Sequence, residues 1–102
     1  MKTHQEYLQE LETYCESIIS SSNVQSSGKK GTLGGLQSYL ENYTDEIKSV
    51  SDKISGKATE LLNRGIKDEN IDNDNLKKDL TDKARESVQK LVNKINKEFK
   101  NG

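Results

Sequence analysis

The fold is decided by residues 33–54, which read LGGLQSYLENYTDEIKSVSDKI. Apolar side chains recur there at alternating intervals of three and four residues, the spacing that places them along one side of an α-helix packed against other helices. No catalytic or ligand-binding pattern accompanies this spacing. The stretch therefore predicts a helix-packing seam, used within the chain or against another molecule, formed by Leu33, Leu36, Leu40, Tyr43, Ile47, Val50 and Ile54.

The composition restricts the core of this chain to narrow stripes. Its 102 residues form one domain at most, and 29% of them are hydrophobic while 32% are charged. So few apolar residues cannot build a thick interior, and the absence of proline favours long, unbroken helices. We therefore predict an all-α fold over residues 1–102, either an elongated antiparallel helical hairpin or a three-helix bundle with coiled-coil-like packing.

Three helices are predicted from the periodicity, and the first has a defined start. Thr3 and Glu6 match a capping box, in which the hydroxyl and the carboxylate satisfy amides of the first turn. Serine and glycine dominate the stretch between the first two helices, which predicts a flexible loop. The predicted bounds are about residues 3–20, 35–64 and 75–99 for the helices and 20–35 for the loop.

Glycine and Asx residues indicate where the two longer helices begin and end. Gly65 is predicted to stop the second helix by adopting the left-handed conformation. Gly56, inside that helix, marks either a bend or close approach of a neighbouring helix or a tolerated surface position. Asp74 or Asn75 is predicted to cap the third helix.

The first and third helices each carry one apolar face. Cys15 is the only cysteine and falls within the first of these faces, eleven residues from the only histidine, His4. Its thiol is therefore predicted to be a small buried hydrophobe and not a nucleophile. The predicted buried residues are Tyr7, Leu8, Leu11, Tyr14, Cys15, Ile18 and Ile19 in the first helix and Leu80, Ala84, Val88, Leu91, Val92, Ile95 and Phe99 in the third.

Charge is distributed unevenly along the chain. Residues 1–27 hold one lysine and four glutamates, a net charge of −3, whereas residues 76–102 hold eight Lys or Arg and four acids, a net charge of +4. Opposite charges favour proximity, so an acidic first helix is predicted to lie beside a basic last helix, either within the bundle or between two subunits. Recruitment of an acidic partner by the basic helix is the alternative.

No catalytic, cofactor or metal site is predicted. One histidine and one cysteine supply neither a zinc site nor a nucleophile with its base. Residues 28–32 lack the order of a phosphate-binding loop, and the Asp68, Asn70, Asp72 alternation lacks the glycine that a calcium loop needs. We therefore expect a non-enzymatic protein that binds no cofactor.

The sequence also limits the partners and the location of this protein. No apolar run reaches the roughly 20 residues of a membrane span, and no apolar signal segment begins the chain. The net charge is −1, so the chain as a whole lacks the positive charge that is typical of proteins that bind nucleic acid. We expect a cytoplasmic protein without nucleic-acid partners, and export by a route without a cleaved signal remains open.

The layout of the first two helices resembles that of a bacterial family. A Gly-rich connection joins two amphipathic helices in a chain of 102 residues, as in the small W-x-G-like and toxin-associated helical-hairpin proteins of type VII secretion systems. Leu33-Gly34-Gly35-Leu36 occupies the region of that family's Trp-x-Gly turn, although this chain has no Trp and no Tyr-x-x-x-Asp/Glu motif after its last helix. The resemblance implies pairing with helices of a larger secreted protein.

Protein binding is the function class that these observations leave. The resemblance implies a small helical partner or targeting factor for a larger secreted protein. A self-associating structural bundle, with the seam used in a homodimer, is one alternative. A helical immunity or inhibitor protein that covers a toxin is another. The sequence does not separate them, because helical faces pack against self and non-self by the same rules.

Overall fold

A computed structural model of the chain shows three α-helices packed along one another. It describes residues 2–22 and 33–101, apart from the side chains at positions 33, 34, 36 and 98–101. The helices are α1 (His4–Ser20), α2 (Leu33–Ile66) and α3 (Asn73–Asn101), and the described residues contain no strand. The predicted all-α fold is confirmed, and α2 and α3 each extend two residues beyond both predicted bounds. Most of the predicted flexible loop, residues 23–32, lies outside the described residues.

The chain runs up, down and up through the bundle. At one end His4 of α1 contacts Asp79 of α3, and Glu10 of α1 contacts Arg64 near the end of α2. At the other end Lys94 of α3 reaches the last carbonyls of α1. α2 is therefore antiparallel to both neighbours, and all three pairs of helices are in contact. The bundle is elongated, with extents of 57 × 19 × 17 Å.

The helices differ in length, so α1 covers only part of the other two. α1 has 17 residues, α2 has 34 and α3 has 29. At a rise of about 1.5 Å per residue, α1 is roughly 25 Å long and α2 roughly 50 Å. α2 and α3 thus form a long antiparallel hairpin, and α1 packs along one side of it.

One apolar core runs between the three helices. Most of the apolar faces predicted for α1 and α3 pack in or against this core. Ser87 is also buried, although its hydroxyl gave no sequence signal, and Tyr14 is half-buried outside the core. The side chain of Phe99 lies outside the described residues. The buried apolar residues are Tyr7, Leu11, Cys15, Val50, Ile54, Leu61, Leu76, Leu80, Leu91 and Ile95.

The N-termini of α1 and α3 show how side chains satisfy the first helical amides. Thr3 accepts a hydrogen bond from the Glu6 amide while the Glu6 carboxylate accepts one from the Thr3 amide, which confirms the predicted capping box. At α3 the prediction of Asp74 or Asn75 as the cap is wrong. Asp72 is the cap, because its carboxylate accepts a hydrogen bond from the Asn75 amide at 3.2 Å.

Gly65 does not end α2, and the predicted left-handed stop is wrong. The helix continues to Ile66, and the φ of Gly65 lies outside the left-handed region. A Cβ at this position would overlap Cδ2 of Leu76 and would lie 3.9 Å from Cγ2 of Ile71. Gly65 therefore permits the close approach of α2 and α3 where the hairpin turns.

Gly56→Ala is expected to stabilise the protein. Gly56 is exposed within α2, and a Cβ added there would meet nothing within 4 Å. Of the two predicted alternatives, the tolerated surface position is therefore the one that the structure supports. Alanine removes the conformational cost of glycine in a helix, worth about 0.5–1 kcal/mol. The measurement is the midpoint of urea unfolding, and an unchanged or lower midpoint would show that Gly56 has a packing role.

Candidate protein-binding surface

α1 is held on the hairpin by an ion-pair cluster around Glu10. The Glu10 carboxylate lies 2.5 Å from Nζ of Lys2, 3.3 Å from Nη1 of Arg64 and 3.9 Å from Nζ of Lys57. The hydrogen bond from Lys2 lowers the pKa of Glu10, and the charges of Lys57 and Arg64 act in the same direction against desolvation. The acidic face of α1 therefore binds cations of α2.

The C-terminal end of α1 is capped by α3. Nζ of Lys94 donates to the carbonyl oxygens of Ile19 at 2.7 Å and Ser22 at 2.8 Å. A cation at these carbonyls also opposes the negative end of the helix dipole. Ser22 is itself buried and donates to the Glu46 carboxylate of α2, so this end of α1 is attached to both helices of the hairpin.

The predicted proximity of the acidic and basic helices is confirmed in part. Glu12 of α1 lies 3.7 Å from Nζ of Lys83 in α3. The more highly connected carboxylate, Glu10, pairs with Lys2 and with α2 instead of α3. Among the described side chains, each ion pair between two different helices has one member in α1.

Glu10→Gln is expected to lower stability at neutral pH by about 0.5–1 kcal/mol, the range for partly exposed ion pairs. Because the folded-state pKa of Glu10 is lowered from 4.5, its stabilisation is present above that value and is lost as pH falls through the folded pKa. The free energies of unfolding of the variant and the original chain should therefore differ at pH 7 and converge in acid.

Glu16→Gln is the matched control for this pH dependence, because Glu16 is exposed on the same helix and makes no ion pair with a described side chain. An equal loss of stability in the two variants at pH 7 would count against the Glu10 cluster. Urea unfolding at several pH values measures both.

The predicted seam residues divide between the core and the surface. Val50 is 3% exposed and Ile54 is fully buried, and Tyr43 and Ile47 are partly buried against the core. Leu33 and Leu36 belong to the first turn of α2, but their side chains lie outside the described ones. The four described positions from Tyr43 to Ile54 are thus packed within the chain.

Leu40 does not belong to the intramolecular core, so of the two uses predicted for the seam only packing against another molecule is left for this residue. Its side chain is 53% exposed. Tyr39 takes the inward position instead, packing against the core and donating from its hydroxyl to the Ile95 carbonyl at 3.2 Å. Both residues fit an apolar three-four spacing, so the sequence offered no signal that would choose between them.

The side of α2 that faces α1 is defined by contacts. Because an α-helix turns about 100° per residue, positions can be compared as angles around its axis. With buried Val50 as zero, Lys57 and Arg64, which contact Glu10 of α1, lie roughly 20° and 40° to one side. The side of the hairpin that α1 covers is called the front.

Further apolar side chains of the same helix lie beside its buried line, on the side away from α1. Ile47, Leu40 and Leu62 lie roughly 60°, 80° and 120° from Val50 in the other direction. Ile47 and Leu62 pack against the core and are only partly exposed, whereas Leu40 is about half exposed. α2 therefore carries an apolar flank that faces away from α1.

α3 carries a matching flank. With buried Leu76 as zero, Asp79 and Lys83, which contact α1, lie roughly 60° and 20° to one side. Roughly 80–160° in the other direction lie three partly exposed apolar residues at intervals of four, Ala84, Val88 and Val92.

The two flanks together form a surface that we call the back groove. Gly65 lies against Leu76 at the turn, and Tyr39 bonds to Ile95 toward the other end of the hairpin, so the flanks run alongside each other in antiparallel register. The back groove consists of Leu40, Ile47 and Leu62 from α2 and Ala84, Val88 and Val92 from α3.

Metal-ligating groups and the thiol are other possible parts of a site. No group of three or more His, Cys, Asp or Glu side chains within them is placed to hold a metal ion. Burial raises the pKa of the Cys15 thiol, while a hydrogen bond with Ser87 acts in the opposite direction. This buried thiol is 1% exposed, which fits the predicted structural role.

A membrane-spanning helix is not found among the described residues. Comparisons of the chain with protein-family models, with curated proteins and with solved structures give no match. A function is therefore inferred from the surfaces of the protein.

Proposed function

We propose that this protein is a non-enzymatic interaction module that binds a helical segment of another protein along the back groove. The observation that carries the proposal is the 53% exposure of Leu40 in line with the other apolar residues of the groove. Burying such apolar surface drives association, and a groove between two helices accepts the apolar face of a third.

The front of the hairpin supports this mode of binding. There α1 lays Tyr7, Leu11 and Cys15 between α2 and α3, where all three become buried. Two adjacent antiparallel helices present a groove on each side, and a helix placed in the second groove would complete a four-helix arrangement. A partner helix on the back would therefore use the same packing geometry as α1 uses on the front.

The specific partner that we propose is a larger secreted protein, as the resemblance to type VII secretion proteins implies. In this role the chain would be a small helical partner or targeting factor, made in the cytoplasm and either retained there or exported with its partner. Neither a cofactor nor a nucleic acid takes part in the proposed function.

Co-expression with the products of neighbouring genes tests this function. We expect one product to co-purify, and light scattering to give the mass of a one-to-one complex. Leu40→Asp should abolish that complex, whereas Ser49→Asp, which adds the same charge at an exposed position of α2 outside the groove, should preserve it. If no product forms a complex, or if both variants bind as well as the original chain, the proposal is overturned.

The same experiment distinguishes the two alternative functions. A stable homodimer of the isolated chain would favour the self-associating structural bundle. A complex in which a toxin loses its activity would favour the immunity or inhibitor protein. A complex in which the partner is secreted only when this chain is present would support the targeting role.

A further inference from the structure

α1 is joined to the hairpin in a different way from that in which α2 and α3 are joined to each other. Within the part of the chain that the structure describes, every ion pair between two helices has one member in α1. These pairs join His4 to Asp79, Glu10 to Lys57 and Arg64, and Glu12 to Lys83. Charged side chains therefore fasten α1 to the front of the hairpin.

These ion pairs lie where water and salt reach them. The side chains of Glu10 and Arg64 are 31% and 48% exposed, and those of Glu12 and Lys83 are 34% and 25% exposed. Salt screens such charges, because the Debye length falls from about 10 Å at 0.1 M to about 3 Å at 1 M. The attachment of α1 should therefore weaken as salt is added.

α2 and α3 keep contacts of their own at both ends of the hairpin. At the turn, Gly65 lies against Leu76. Toward the other end, Tyr39 donates a hydrogen bond to the Ile95 carbonyl, seven positions, or roughly 10 Å of helix, beyond the point where Ser22 meets Glu46. Neither contact contains an atom of α1, so both can persist when α1 is away.

We propose that α1 opens from the front as one unit while α2 and α3 stay paired, and that its ion pairs are a salt-sensitive latch on this movement. Units of a protein that open separately do so at a lower free energy than global unfolding. The open form uncovers members of the shared core, such as Val50 and Ile54. α1 is thus the chain's own cover over the front, and this inference does not depend on binding at the back groove.

Cys15 reports the opening of α1. It is the only cysteine of the chain, and its side chain is 1% exposed. Its thiol is hydrogen-bonded to Ser87 of α3, so it is held between the two helices. A reagent that modifies thiols needs contact with the sulfur and therefore reacts only when α1 opens or the whole chain unfolds.

The first test compares these two routes in the full chain. The rate of Cys15 labelling by an excess of a small thiol reagent is measured against urea. In the absence of urea it should be at least about tenfold faster than the unfolded population permits, and it should depend less steeply on urea, because less surface is exposed. A rate equal to that calculated from global unfolding would overturn the proposal, since α1 would then open only with the whole bundle.

Salt and one substitution test the latch. Raising NaCl from 0.05 M to 1 M should accelerate labelling about two- to fivefold, relative to a short cysteine peptide under the same conditions. Glu10→Gln should give a similar acceleration at low salt and a smaller response to salt. Glu16→Gln, at an exposed position of α1, should leave both nearly unchanged. Labelling that ignores salt, or that changes equally in the two variants, would overturn the latch.

Amide hydrogen exchange shows whether the hairpin stays formed. The amide of Leu11 should exchange at least about tenfold faster than those of Leu61 in α2 and Leu91 in α3, all of which belong to fully buried residues. Equal protection at the three positions would overturn the proposal. None of these measurements involves a partner, so their failure would leave the proposed function standing, and a failed search for a partner would leave the opening of α1 standing.

Discussion

Replacing Ile54 by aspartate is expected to destabilise the protein severely. Ile54 is fully buried in the middle of α2 and belongs to the core shared by the three helices. A carboxylate there would be desolvated without a partner, at a cost of about 4 kcal/mol or more. Since a domain of this size is stable by about 5–15 kcal/mol, the variant should lose most of its stability. Urea unfolding followed by circular dichroism measures the loss.

Leu40→Asp is the matched control, because it makes the same kind of change on the same helix at a position that is 53% exposed. Its free energy of unfolding should stay within about 0.5 kcal/mol of that of the original chain. Similar losses in the two variants would contradict the assignment of Ile54 to the core and Leu40 to the surface. The control also shows that Leu40→Asp is folded when it is used in binding tests.

Gly65→Ala is expected to destabilise the protein by about 1–3 kcal/mol, the usual cost of overpacking a core. The added methyl group would overlap Cδ2 of Leu76, whose side chain is fully buried and has little room to move. α2 and α3 would have to separate next to the turn that joins them. A thermal or urea unfolding curve gives the magnitude.

Two comparisons isolate the cause of that loss. Gly56→Ala makes the same substitution in the same helix and is expected to have the opposite sign, because no atom lies near the added Cβ. In addition, Leu76→Val should cost less in the Gly65→Ala background than alone, since it removes part of the overlapping side chain. Additive effects of Gly65→Ala and Leu76→Val would refute the proposed close contact.

The number and approximate extent of the helices could be predicted from the sequence because they depend on local signals. A repeat of three and four residues fixes which side of a helix is apolar, and a capping box needs residues only three positions apart, as at Thr3 and Glu6. Both signals act within one helix, so no knowledge of the neighbouring helices was required.

The end predicted for α2 at Gly65, and the choice of which apolar residues of α2 face inward, depended on contacts between helices. Gly65 was expected to end α2, but its lack of a side chain instead makes room for Leu76 of α3. Leu40 and Tyr39 both fit the apolar spacing, and only the position of α3 determines that Tyr39 reaches Ile95 while Leu40 remains exposed. Such relations join residues that are distant in sequence and leave no periodic pattern.

The candidate binding surface could be anticipated only in part for the same reason. The sequence predicted an apolar seam and a basic last helix, and both contribute to the back groove. Which side of the hairpin is covered depends on where α1 packs, which the structure shows through Glu10 and Lys94. Once that side is known, the exposure of Leu40 acquires a functional interpretation.

A measurement of absolute mass in solution tests most directly the proposal that the chain binds a different protein and not itself. Light scattering over a wide range of concentrations should give 11.5 kDa for the isolated chain, and a one-to-one complex after addition of the partner that co-purifies with it. A stable particle of twice that mass in the isolated chain, returned to a single chain by Leu40→Asp, would contradict the account.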